Sequence, residues 1–63
     1  MSDVPFILKS IIQKINEAQM EVDKAIKLTE DPYTRGKLIV VFNRLGDFAE
    51  EVASLLKGDE HVR

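Results

Sequence analysis

The run Leu38-Ile39-Val40-Val41-Phe42, with the apolar positions that follow it at helical spacing as far as Leu56, limits this chain more than any other stretch. Taken as a helix, Leu38, Val41, Leu45, Phe48, Val52 and Leu55 step by three and four, the a/d spacing of a seam between two helices. One residue further on, Ile39, Phe42, Gly46, Ala49, Ala53 and Leu56 step in the same way and form a second seam beside the first. At about 100° per residue the two merge into an apolar arc roughly 160° wide, more than one neighbouring helix covers. Lys37, Arg44, Asp47, Glu50, Glu51, Ser54 and Lys57 take the opposite side. A buried strand is the rival reading of the β-branched run, but no second strand pattern exists to pair with it, and helical spacing continues for two more turns.

The first half of the chain supplies one of the neighbours. Val4, Leu8, Ile11, Ile15, Ala18, Val22, Ala25 and Thr29 form a seam, with Ile12 and Ile26 widening one side and Ile7 and Leu28 the other. Ser2 and Asp3 are capping residues, and Pro5 suits a first turn, where its missing N–H has no partner to lose. The spacing predicts a helix over about 4–28, about 36 Å long at 1.5 Å per residue. Thr29-Glu30-Asp31-Pro32 then breaks it, Asp31 as N-cap and Pro32 as first helical residue of a second helix over about 32–57. Gly58 is the expected C-terminal stop, with 59–63 a disordered tail. So short a turn makes the two helices antiparallel neighbours. With paired positions summing to about 63, Leu8 meets Leu55, Ile15 meets Phe48 and Ala18 meets Leu45, while Glu21 faces Arg44 and Lys14 faces Glu51 along one flank.

Such a hairpin leaves Ile39, Gly46, Ala53 and Leu56 without a partner in their own chain. A glycine inside a helix costs about 1 kcal/mol relative to alanine, a cost explained if another backbone comes close at Gly46. Length adds a second argument: below about 70 to 80 residues a single core rarely stabilises itself without disulfides, metal or association. This 63-residue chain has no cysteine, and its lone histidine, His61, lies in the polar tail. Association is the aid that remains. The expectation is an all-α, single-domain hairpin that dimerises through Ile39, Phe42, Gly46, Ala49, Ala53 and Leu56 into a four-helix bundle.

The sequence announces no chemistry. The acids Glu17 with Glu21, and Asp47 with Glu50 and Glu51, lie on polar faces rather than in a cleft that would shift their pKa values. His61 follows Gly58 rather than Glu at i−3, so the Glu-x-x-His element of a di-iron bundle is missing. Gly36-Lys37 lacks the rest of a phosphate loop, and Ser10 and Ser54 lack an ordered histidine as base. No enzyme, cofactor or metal site is expected. The start lacks a basic n-region and the longest apolar run is five residues, so neither a signal peptide nor a membrane span is expected, and the location expected is cytoplasmic.

What remains is recognition. Tyr33 and Val40 are apolar on the polar side of the second helix, one heptad apart with Lys37 between, and mark a candidate protein-binding patch. On the first helix Phe6, Lys9, Gln13, Asn16, Met20, Lys24 and Lys27 share an outer face, where an exposed aromatic among amides and lysines suits RNA. Glu17 and Asp23 interrupt it. The layout of the whole chain resembles that of the Rop family of small plasmid regulators, with Phe6, Gln13 and Lys27 of matching residue type and no shared motif. That resemblance implies an antiparallel dimeric bundle whose first helices bind paired RNA loops. The expected function is a non-enzymatic interaction or regulatory module whose partners are a second copy and another protein. RNA binding by helix 1 is the alternative.

Overall fold

The computed structural model describes residues 3–61. It consists of two helices, α1 (Val4–Leu28) and α2 (Pro32–His61), packed against each other as a hairpin. The turn between them is fixed by the residues that break the pattern. Asp31 caps α2, its Oδ2 accepting the Thr34 backbone N–H at 3.0 Å and the Thr34 hydroxyl at 2.6 Å. The Arg35 guanidinium reaches back to donate to the Thr29 carbonyl at 2.6 Å, while the Thr29 N–H closes α1 on the Ala25 carbonyl at 2.9 Å. These contacts tie the last turn of α1 to the first turn of α2 through three intervening residues. They also hold the Asp31 carboxyl below the usual aspartate range, the Thr34 hydroxyl being the main cause and the Thr34 N–H the next.

At the other ends the caps differ from expectation. Asp3 is the N-cap of α1 but its side chain makes no capping hydrogen bond, and Ser2 lies outside the described residues. Gly58 does not stop α2, which continues to His61, and no glycine has positive φ. A glycine permits a left-handed cap without requiring one. Where no proline follows, a helix already long adds a further turn for little more than glycine's propensity cost of about 1 kcal/mol. Of the expected tail, Val62 and Arg63 lie outside the described residues.

The seam itself is rotated from the one expected. On α1 the half-buried positions include Leu8, Ile12, Ile15, Gln19, Val22 and Ile26, and on α2 they are Leu38, Phe42, Leu45, Gly46, Ala49, Val52 and Leu56. Val4, Ile11, Val41, Phe48 and Leu55, expected inside the hairpin, are exposed. Both candidate seams on α2 are apolar, so hydrophobicity does not choose between them. The choice is made by Gln19 of α1, whose amide donates to the Phe42 carbonyl at 3.1 Å. With that long side chain laid across α2, the residue beneath it must be small, and it is Gly46: a Cβ there would meet Gln19 Nε2 at 3.1 Å. The close approach inferred at Gly46 exists, but its source is α1 of the same chain.

Two helices side by side make one layer. The Cα trace measures 50 × 14 × 9 Å with a radius of gyration of 14.9 Å, against about 11 Å for a compact chain of this length. Among the described residues no side chain is fully buried.

Candidate functional site

Three surfaces carry the candidate residues, and the hairpin's winding sorts them. Because α1 and α2 run in opposite directions, their side-chain spirals have opposite sense when viewed from one end. Stepping one residue forward from each seam therefore reaches one face of the hairpin, and stepping one residue back reaches the other.

On the forward face an open groove is lined by Asn16, Gln19, Met20, Asp23, Lys24, Lys27 and Phe42. It gathers Asn16, Lys24 and Lys27 of the expected RNA-binding set around the exposed Met20, whereas Phe6, Lys9 and Gln13 are exposed beyond the groove. Phe6 stands 78% exposed. The charges here are partly answered within α1: Lys27 pairs with Asp23 at 3.0 Å, and the Gln13 amide donates to Glu17 at 3.4 Å. Both are contacts between residues four apart on a solvated helix and contribute little to stability.

The same face holds what is exposed of the expected dimer interface. Ile39 and Ala53 are exposed, whereas Phe42, Ala49 and Leu56 are half-buried in the hairpin and Gly46 lies under Gln19. A second, smaller hollow further along α2 is lined by Glu50, Ala53, Ser54 and Lys57.

On the outer side of α2 near the turn, Tyr33 is 72% exposed and the Lys37 ammonium lies 5.5 Å from the centre of its ring. That is cation–π distance. Val40, next along this side, is also exposed. Tyr33, Lys37 and Val40 thus share one surface, with the ring already partnered by the lysine.

The backward face is the one the sequence reading placed inside. Ile7 at 51% and Ile11 at 38% on α1 lie on the same face as Phe48 at 51% and Leu55 at 61% on α2, with Val4 and Val41 extending the row. Lys14 and Glu21 border it on α1, and Arg44 and Glu51 on α2; all four are exposed. The signal that would have found this face is the pairing of one long amide, Gln19, with one glycine, Gly46, at levels that the register brings together.

Among the described residues no group of three His, Cys, Asp or Glu side chains is placed to hold a metal ion, and no buried polar side-chain atom lacks a partner. No described helix is long and apolar enough to cross a membrane. The chain matches no protein-family model, no curated protein and no solved structure.

Proposed function

We propose that this chain is a non-enzymatic interaction module that dimerises into a four-helix bundle and presents the outside of that bundle to another protein. The observation that carries the reading is the absence, among the described residues, of any fully buried side chain in a hairpin one layer thick. Stable domains enclose their apolar surface between at least two layers, and the described residues form two helices and no second layer. Light scattering at micromolar concentration tests it: the expected mass is twice the 7.2 kDa of one chain, and a mass of one chain with full helix content overturns it. In such a bundle Tyr33, Lys37 and Val40 remain outside as the surface offered to the protein partner.

RNA binding is the second reading, favoured by the groove that gathers Asn16, Met20, Lys24 and Lys27. It is charge-driven, so affinity for structured RNA should fall with added salt and fall further in Lys9→Ala and Lys24→Ala. Absence of binding at low salt removes it.

A further inference from the structure

We infer that the second copy docks on the backward face, over Ile7, Ile11, Phe48 and Leu55, and not on the Ile39 side; the inference rests on the dimer reading above. The forward face is poorly suited. Gln19 already crosses it, and its α1 half is mostly polar, Asn16, Asp23, Lys24 and Lys27 surrounding Met20, so that Met20, Ile39 and Ala53 stand as scattered apolar positions. On the backward face α1 contributes Val4, Ile7 and Ile11 from its first half, and α2 contributes Val41, Phe48 and Leu55 along its length.

Area points the same way. Six large side chains that keep about half of their surface exposed, at roughly 150 to 250 Å2 for a side chain of aromatic size, leave about 500 Å2 per copy. Two copies face to face bury about 1,000 Å2, and with the bordering charged stems about 1,200 Å2, the lower bound for a stable specific interface.

Charge identifies the occupant as a copy of this chain. On α1 the border carries Lys14 and, one heptad later, Glu21; on α2 it carries Arg44 and, one heptad later, Glu51. None of the four forms an ion pair among the described residues. When two hairpins stack face to face about a two-fold axis, every facing pair of helices is antiparallel. Reversing a basic-then-acidic border opposes each base to an acid. This holds whether α1 lies over the second copy's α1, setting Lys14 against Glu21, or over its α2, setting Lys14 against Glu51. The border is complementary to itself.

The test uses two full-length variants. Lys14→Glu with Arg44→Glu makes the border wholly acidic, and Glu21→Lys with Glu51→Lys makes it wholly basic. Each alone should dimerise at least about tenfold more weakly than the unaltered chain, since all the border pairs turn repulsive. An equimolar mixture should recover dimer mass as the mixed species in native mass spectrometry, and should recover helix content if either variant alone unfolds. As the control for the other face, Ile39→Lys with Ala53→Lys should leave the dimer unchanged. Dimers that persist in both variants, or a mixture with no preference for the mixed species, overturn this docking face while leaving the dimer reading intact. An unaltered chain that is monomeric overturns the dimer reading first.

Discussion

Replacing Gly46 by alanine tests the contact that rotates the hairpin. In an unobstructed helix interior the change stabilises by about 0.8 to 1.0 kcal/mol, because glycine loses more backbone freedom on folding. Gly36 supplies that reference, having nothing within 4 Å of the position its Cβ would take. At Gly46 the new methyl would stand 3.1 Å from Gln19 Nε2, so the amide must withdraw and its hydrogen bond to the Phe42 carbonyl stretches or breaks. Losing such a bond costs about 0.5 to 1.5 kcal/mol. The two effects nearly cancel, and Gly46→Ala should change stability by less than about 0.5 kcal/mol. In a Gln19→Ala background the obstruction is gone and the same substitution should give the full gain of about 1 kcal/mol, a rise in Tm of about 4 to 8 °C for a domain of this size. Thermal unfolding followed by circular dichroism, at one fixed protein concentration, reads all four corners of the cycle. If Gly46→Ala gains as much as Gly36→Ala while Gln19 is present, Gln19 does not lie across α2 and the seam has been placed wrongly.

Three further outcomes follow from other parts of the hairpin. Asp31→Ala should lower Tm at neutral pH and leave little difference at low pH. Since the folded carboxyl is held below its ordinary range, the unfolded state binds more protons; the cap's contribution is fully present above the ordinary aspartate value of about 3.9 and is lost as pH falls toward the lowered one. Gly58→Ala should be neutral or slightly stabilising, as α2 runs through it without positive φ and with open space around it, whereas a left-handed cap would lose about 1 kcal/mol. Changing Tyr33 and Val40 together to serine should leave Tm and mass almost unchanged, both side chains being exposed on the outer side of α2; unfolding or dissociation would show them to be core.

The parts of the fold that were legible in the sequence are those written in single unambiguous residues. Asp31-Pro32 marked the turn because one residue caps and the other cannot accept a preceding turn of helix, and α1 and α2 begin where such signals stand. The register was legible as well, because a short turn leaves little freedom: a sum near 63 puts Gln19 level with residue 44, between Phe42 and Gly46, which its amide touches. The rotation of the helices about their axes was not legible. Val41 and Phe42 are both apolar, as are Phe48 and Ala49, and Leu55 and Leu56, so a turn of up to one residue's step of about 100° exchanges one row for the other at no cost in hydrophobicity. A polar residue decided it, and pattern reading passes over Gln19 because it breaks the apolar row to which it belongs. For the same reason Ile39, Phe42, Gly46, Ala49, Ala53 and Leu56 were read as one outward surface, although four of the six line the hairpin seam.

The turn locked by Asp31, Thr34 and Arg35 sets the order in which the hairpin comes apart. Contacts beside it close a loop of only a few residues, whereas the half-buried Leu8 and Leu56 lie near opposite ends of the chain. Loop-closure entropy rises by about 0.6 kcal/mol with each doubling of the separation, so the free ends of α1 and α2 have the most to gain by parting. The helices behave as a clasp hinged at residues 29–31, fraying from the open end inward. Amide hydrogens should therefore exchange in a gradient along the 50 Å length, fastest beside Val4 and slowest toward the turn. Whatever covers the open end, by pinning the strands of this clasp where they separate most readily, stabilises helix over a distance far beyond its own footprint.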